Sequence, residues 1–268
     1  LLLLTAFAAA TLTSAKAESP KLVVSIIVDQ LRYDYLERFQ SHFTDQGFGL
    51  FYKKGAVVSF GRYNYFPTST APGHATVLSG APPSQHGIIG NDWFDKRTRQ
   101  SVYCAEDKSV EGVGVTGSSG QRSPKNFIGA NLADQMRLHF GSRVVGISMK
   151  DRGAILPAGK KPVGAYWFNS KAGHFVTSTY YHEKMPAWVD AFNKKDRAGS
   201  FLGATWDRLL PAGEYAFADD AVGERPLAGE KKPVFPHRIG KKNDKTRSAV
   251  MPTPFANQIL MEFAIAAI

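Results

Sequence analysis

Residues 67–74, with the sequence PTSTAPGH, place hydroxyl side chains at the predicted start of a helix. Pro72 suits the first turn of that helix, because its missing N–H has no partner there in any case. The free backbone N–H groups and the positive end of the helix dipole favour an anion, including an alkoxide. A threonine such as Thr70 is a weak nucleophile until a base or a metal ion activates it. An ordinary Ser/Thr helix cap is the alternative interpretation.

Asp29 directly follows the mostly apolar run 22–28, with the sequence LVVSIIV. This run predicts a strand that is buried on both faces of a parallel sheet. A carboxylate at the end of such a strand costs roughly several kcal/mol to desolvate unless it is paired or bound to a metal ion. Asp29 is therefore a candidate metal ligand, and a helix N-cap remains the alternative.

Lys150 and Arg152 follow another apolar run, 143–149, and project to one face if the strand continues through them. An ammonium beside a forked guanidinium suits a dianionic phosphoryl group. A solvated run of charges is the alternative. Asn91, at the end of the glycine-flanked segment 87–91, could donate to a phosphoryl oxygen or fill a left-handed turn position.

The elements that would position these side chains alternate along the first half of the chain. Strands are predicted at 22–28, 56–65 and 143–149. Helices are predicted over 33–40 and 48–54, from Pro72 to Gly80, and over 123–140. This order indicates an α/β sheet with right-handed crossovers, and ligands bind at the carboxyl ends of the strands in such sheets. The second half predicts a hairpin of 165–168 with 175–179, a helix from Pro186, and a last helix over 254–268.

Composition excludes several classes of protein. The 268 residues are 43% hydrophobic and 12% aromatic, which rules out disorder, collagen and coiled coil. One cysteine permits neither an internal disulfide nor a thiolate metal cage. The net charge of +10 favours anionic partners. The basic stretch 224–247 is interpreted as solvated surface.

The two ends of the chain add expectations about export and completeness. The apolar run 1–12 and the A-x-A pattern at 15–17 predict the remnant of an export signal with cleavage after Ala17, hence a periplasmic or secreted protein. The run is too short to span a bilayer, and a buried N-terminal helix is the alternative. The last helix has no C-cap signal, so we expect a fragment truncated at both ends. The expected organisation is a signal remnant (1–17), the nucleophile-bearing half of the α/β core (18–160), a cap or insertion region (161–252) and a helix that returns to the core (253–268).

Four segments in this order resemble the alkaline phosphatase superfamily: 28–30 (VDQ), 67–74, 86–93 (HGIIGNDW) and 150–152 (KDR). More narrowly, they resemble exported phosphate-irrepressible alkaline phosphatases that use a threonine nucleophile. The similarity runs from about Lys21 to the end of the chain. Each motif alone is weak, whereas four in the right order are specific.

The resemblance implies an α/β fold with a mostly parallel sheet flanked by helices, incomplete in this chain, and a phosphomonoesterase with two zinc ions. Thr70 matches the nucleophile that forms a phosphothreonine and contacts zinc, and Asp29 matches a zinc ligand. Asn91 matches the amide that binds a phosphoryl oxygen, while Lys150 and Arg152 match the pair that grips the phosphate. Small phosphate monoesters are the implied partners.

The remaining metal ligands of the family, an Asp-x-x-x-His pair, an Asp-His pair and a late His, are expected beyond residue 268. The histidines present do not show that spacing, and His74 is interpreted as packing on its helix. This stretch alone is therefore expected to be inactive.

Two other functions compete with this one. A nucleotide pyrophosphatase or phosphodiesterase of the same superfamily would share Thr70 and Asn91. Lys150 and Arg152 favour a monoesterase, because a monoester carries an extra anionic oxygen. A basic module that binds nucleic acid or an acidic surface is disfavoured, since no nucleic-acid fold signature is present and the export signal points away from chromosomal partners.

Overall fold

The computed structural model describes residues 20–268. The signal remnant predicted at 1–17 lies outside the described residues. The chain divides into two compact units, one up to Val57 and one from Val58 to Ile268, and each is described by itself. In the described part of the chain, no helix has the length and apolar character that crossing a membrane requires.

The first unit contains helices α1 (Tyr33–Arg38) and α2 (Phe48–Lys54), with a 3-10 turn at Gln40–His42 between them. Helix α2 ends at Gly55, as predicted. Arg32 is the N-cap of α1, and Asp29 lies in the turn before it. The interpretation of Asp29 as a helix cap is therefore wrong.

The predicted strand at 22–28 does not form. These residues have no strand partner in the described part of the chain, and their side chains are largely exposed, with Leu22 at 57% and Ile26 at 62%. A parallel strand is stable only where neighbouring strands and helices cover it, and the described residues supply no such cover. The predicted strand at 56–65 is absent for the same reason, since Val58 and Phe60 are 82% and 80% exposed.

The second unit holds the remaining helices and strands. Its helices are α3 (Thr70–Ser79), α4 (Pro83–His86), α5 (Leu132–Phe140), α6 (Asp151–Ala158), α7 (Ala187–Asn193), α8 (Arg197–Ser200) and α9 (Pro254–Ala266). Its strands are β1 (Asp92–Asp95), β2 (Gln100–Tyr103), β3 (Gly112–Val113), β4 (Val145–Ser148), β5 (Gly164–Asn169), β6 (His174–Ser178), β7 (Thr205–Trp206) and β8 (His237–Arg238).

A mixed sheet in the order β3-β6-β5-β4 forms the centre of this unit. Strand β4 pairs in parallel with β5, and β5 pairs antiparallel with β6 as the predicted hairpin. Alternate residues of β5 face opposite sides. Ala165 and Trp167 pack with α3 and α6, whereas Tyr166 and Phe168 pack with α7 and α9. Because both faces are covered, β5 is buried along nearly its whole length.

Helices α3 and α6 lie on the same face of the sheet and contact each other through small residues. Ala71 and Ala75 of α3 share a fully buried core with Ala154 of α6 and with Cys104. Small side chains let the two helix backbones approach closely, and this contact fixes the start of one helix beside the start of the other.

Helix α5 is shorter than predicted. Asn131 and Asp134 form a capping box, so the helix begins at Leu132 rather than near residue 123. It ends at Gly141 in the left-handed conformation, as predicted.

Candidate active site

Thr70 is the first residue of α3, after the N-cap Ser69. The Ser69 side chain makes no cap hydrogen bond, so the capping interpretation of this segment is wrong. The backbone N–H groups of a first helical turn have no partners within the helix. His74 is buried and donates from Nδ1 to the Thr70 carbonyl oxygen at 2.8 Å, which confirms its packing role on the helix.

Asn91 joins the start of α3 to the hairpin of β1 and β2. Its Oδ1 accepts the backbone N–H of Ala71 at 2.8 Å, and its carbonyl oxygen accepts the backbone N–H of Cys104 at 2.9 Å. With Oδ1 accepting, the side-chain nitrogen is the donor end of the amide. Asn91 does not have a positive φ, whereas Gly87 does, at 78°. The left-handed turn interpretation of Asn91 is therefore wrong.

The contact between α3 and α6 brings their first turns together. A Cβ atom built on Gly153 of α6 would lie 3.7 Å from His74 Nε2 and 2.5 Å from Ser148 Oγ. His74 lies one turn beyond Thr70, and Gly153 lies one turn beyond Lys150. The two helix starts that carry Thr70 and Lys150 are therefore neighbours.

Lys150 and Arg152 do not continue a strand, because β4 ends at Ser148. Lys150 is the N-cap of α6, its side chain is exposed, and its backbone N–H donates to Ser148 Oγ at 3.2 Å. Arg152 lies in the first turn and is partly buried, and its Nη1 donates to the Tyr103 hydroxyl at 3.1 Å. The shared face predicted from strand geometry is therefore wrong, and a solvated run of charges does not describe Arg152.

The Arg152 side chain remains protonated in this environment. Burial acts to lower its pKa, but the hydrogen bond to Tyr103 and the charge of Asp151 outweigh burial, so the pKa lies above its ordinary value. The guanidinium is thus a permanent positive charge at the start of α6.

The sequence did not predict the network of side chains that contacts Arg152. Asp151 accepts a hydrogen bond from the Tyr103 hydroxyl and another from Arg122 Nε, the latter at 2.6 Å. The Arg122 guanidinium also lies 4.7 Å from the centre of the Tyr103 ring. Asp151 falls inside the motif 150–152. No sequence signal marked Tyr103 or Arg122.

The two zinc ions that the resemblance implies would need several His, Cys, Asp or Glu side chains grouped together. Within residues 20–268, no three His, Cys, Asp or Glu side chains come together as a metal-binding group. The described residues therefore do not fit a two-zinc site.

Comparison with known proteins identifies the family. Residues 23–241 match the family model described as type I phosphodiesterase / nucleotide pyrophosphatase. The chain belongs to this family. It is 43% identical to alkaline phosphatase PafA of Elizabethkingia meningoseptica, over 93% of this chain and 47% of that protein. It is 41% identical to a protein named calcium-transporting ATPase of Myroides odoratus, over 98% of this chain and 49% of that protein. It is 40% identical to alkaline phosphatase PhoV of Synechococcus elongatus, over 93% of this chain and 46% of that protein.

Solved structures agree with this placement. The crystal structure of wild-type PafA matches with a TM-score of 0.86 at 40% identity, over 90% of this chain and 48% of that one. A PafA variant with substitutions at a threonine, an asparagine, a lysine and an arginine matches with a TM-score of 0.87 at 39% identity, over the same shares. The predicted alkaline-phosphatase-like α/β fold is confirmed. The chain spans about half the length of the curated relatives it matches.

Proposed function

We propose that the full-length protein hydrolyses phosphate monoesters through Thr70. The observation that carries this proposal is the hydrogen bond from the Ala71 backbone to Asn91, because it holds an amide donor beside the helix start that bears Thr70. An anion at that start is stabilised by the positive end of the helix dipole. Phosphoryl transfer depends mainly on positioning and on charge stabilisation, which this arrangement can supply.

The reaction would proceed in two displacements. In the first, the Thr70 oxygen bonds to phosphorus as the bond from phosphorus to the alcohol oxygen breaks, and the proton of the Thr70 hydroxyl ends on the alcohol, which gives phosphothreonine and the free alcohol. In the second, a water oxygen bonds to phosphorus as the bond from phosphorus to Thr70 Oγ1 breaks, and a proton of the water ends on Thr70, which restores the hydroxyl and gives inorganic phosphate. Asn91 would donate to a phosphoryl oxygen, while Lys150 and Arg152 would neutralise the anionic oxygens.

The PafA variant supports these assignments. It carries substitutions at a Thr, an Asn, a Lys and an Arg in that order along the chain, the first two 21 positions apart and the last two 2 positions apart. Thr70 and Asn91 have the first spacing, and Lys150 and Arg152 have the second. The same four residue types thus recur with the same two spacings in the two sequences.

Zinc dependence is a separate proposal. We infer that Asp29 and Thr70 contribute to zinc binding in the full-length protein, and that the other ligands come from outside the described residues. Elemental analysis of the purified full-length protein tests this. Two zinc ions per chain are expected, and a protein active without bound metal would contradict it.

Export is proposed from the predicted cleavage site after Ala17. Expression of the complete reading frame and N-terminal sequencing of the mature protein should give Glu18 as the first residue. A mature protein that retains residues 1–17 would contradict the proposal.

Substrate preference tests the main proposal. The full-length protein should cleave p-nitrophenyl phosphate with a higher kcat/KM than bis(p-nitrophenyl) phosphate. Preference for the diester would instead identify a nucleotide pyrophosphatase or phosphodiesterase. Because one relative is named an ATPase, ATP with and without Ca²⁺ belongs in the same series.

Replacement of the nucleophile tests the mechanism. T70A should lose at least about 1,000-fold in kcat, as expected when a nucleophile is removed, whereas T70S should stay active because it keeps a hydroxyl. Equal activity of T70A and the wild-type protein would refute the assignment. Residues 18–268 produced alone should be inactive, and turnover by that fragment would contradict this expectation.

A further inference from the structure

We propose that Tyr103 is a positioning residue that sets the orientation of the Arg152 guanidinium. This proposal rests on the proposed function, which places Arg152 on the transferred phosphoryl group. The Tyr103 hydroxyl donates its one hydrogen to Asp151 Oδ1, so its lone pairs are left to accept from Arg152 Nη1 at 3.1 Å.

Asp151 is held in a defined position on both sides. Arg122 Nε donates to Oδ2 at 2.6 Å, and the backbone N–H of Arg152 donates to Oδ1 at 2.7 Å. The Arg122 and Asp151 side chains are only 15% and 14% exposed. A charge-assisted pair shielded from water is stronger and more directional than a surface pair.

Burial keeps the Tyr103 phenol protonated. Desolvation, followed by the charge of Asp151, raises the pKa of Tyr103 far above its ordinary value. The hydroxyl can therefore donate to Asp151 and accept from Arg152 at the same time over the whole physiological pH range.

The β1–β2 hairpin connects this network to Asn91. Tyr103 is the last residue of β2 and lies opposite Asp92, which directly follows Asn91. The backbone N–H of Cys104, next to Tyr103, donates to the Asn91 carbonyl oxygen at 2.9 Å. One short element therefore holds both the proposed phosphoryl amide and the anchor of the proposed phosphoryl guanidinium, which fixes the spacing between them.

The hydrogen bond to Tyr103 occupies only one of the N–H groups of the Arg152 guanidinium. Among the described residues, its Nε atom is buried without a hydrogen-bond partner. A guanidinium carries five N–H donors in a fixed plane, and an anion can take two of them at once. Anchoring Nη1 on Tyr103 therefore restricts the directions in which the other donors point.

A double-mutant cycle on the full-length protein tests the inference. Y103F keeps the ring and its contact with Arg122 but removes the hydroxyl. It should lower kcat/KM for p-nitrophenyl phosphate and the affinity for inorganic phosphate about 10-fold each, the size expected for one hydrogen bond to a charged group. In the R152A background the same change should alter either quantity less than about 2-fold, because the residue through which Tyr103 acts is gone.

The control is Y166F. It also removes a buried phenol hydroxyl, hydrogen-bonded to His182 at 2.8 Å, on the other face of the sheet. It should leave phosphate affinity unchanged, which separates a local effect from general destabilisation. A 10-fold loss for Y103F that persists in the R152A background, or no loss with Arg152 present, would overturn the inference. Absence of monoesterase activity in the wild-type protein would refute the proposed function, and phosphate affinity would still decide the role of Tyr103.

Discussion

Asn91 Oδ1 lies 2.8 Å from the backbone nitrogen of Ala71, the residue that follows Thr70. The amide is thus held by the helix whose first residue is the proposed nucleophile. Its acceptor atom is occupied by the protein, so its donor atom is the part left to bind a phosphoryl oxygen.

Two substitutions can therefore test the acceptor atom and the donor atom of the Asn91 side chain separately. N91D keeps an oxygen to accept from Ala71 but replaces the donor with an anionic oxygen, whereas N91A removes both. N91A should lower kcat/KM about 100-fold, as expected for one lost donor to the transition state, and N91D should lower it at least as much. Steady-state kinetics with p-nitrophenyl phosphate measure both. Near-wild-type activity in N91D would show that only the contact with Ala71 matters.

Removal of the paired cations Lys150 and Arg152 should lower kcat/KM by an amount that depends on the substrate. K150A/R152A should lower kcat/KM for a phosphate monoester far more than for a diester, because only the monoester presents the second negative charge that the pair neutralises. K231A/K232A, in the basic stretch 224–247, is the matched control for removal of two positive charges and should lower neither rate. Equal losses on the two substrates would refute the proposed role of Lys150 and Arg152.

Gly153 allows α6 to pack closely. G153A would place a Cβ 2.5 Å from Ser148 Oγ, the atom that accepts the Lys150 N–H. Overpacking costs about 1–3 kcal/mol, and alanine regains up to about 1 kcal/mol through its helix propensity. Urea unfolding should therefore show a net loss of about 1 kcal/mol.

The matched control for this substitution is G213A, because no atom lies within 4 Å of a Cβ built on Gly213. This variant should be as stable as the wild-type protein, or slightly more stable through loss of chain entropy in the unfolded state. If G153A unfolds at the same urea concentration as G213A, the close contact at α6 does not limit stability.

His86 predicts a pH dependence of folding. Its ring is buried, its Nδ1 accepts from the Ile88 backbone and its Nε2 contacts Thr76 Oγ1, and desolvation lowers its pKa below the ordinary value of 6.5. The unfolded state therefore binds a proton more readily. The contribution of neutral His86 to the free energy of unfolding is fully present above pH 6.5. It falls as the pH drops from 6.5 towards the pKa of His86 in the folded state.

The free energy of unfolding measured at several pH values from about 7 to 5 tests this. H86N keeps an acceptor for Ile88 but does not titrate, so its stability should change less with pH than that of the wild-type protein. His182, whose pKa burial also lowers, accounts for part of the dependence that remains. An unchanged slope in H86N would exclude His86 as a contributor.

Local signals in the sequence predicted much of the fold. Helix α3 followed from Pro72 and Gly80, and the hairpin of β5 and β6 followed from two apolar runs around a glycine-containing loop, because each depends on residues close together in the chain. The strand at 22–28 failed, since a parallel strand needs neighbours that its own sequence cannot supply.

The site was predicted as residue types but not as geometry. The motif 150–152 suggested an extended pair, but β4 ends at Ser148 and Lys150 is the N-cap of α6, so the two residues do not alternate along a strand. Tyr103 and Arg122 reach Asp151 across 48 and 29 residues of sequence. Contacts at that separation leave no periodicity or spacing in a single sequence.

Cys104 is the one cysteine of the sequence and is completely buried in the core beneath α3 and α6. Burial, followed by the charge of Asp151, raises the pKa of its thiol to about 12. The thiolate needed for reaction with a disulfide reagent is therefore scarce at neutral pH, and the reagent has no access while the core is closed. The rate of thiol labelling then reports how often this core opens, so the native chain carries its own probe of breathing motions beside the proposed nucleophile.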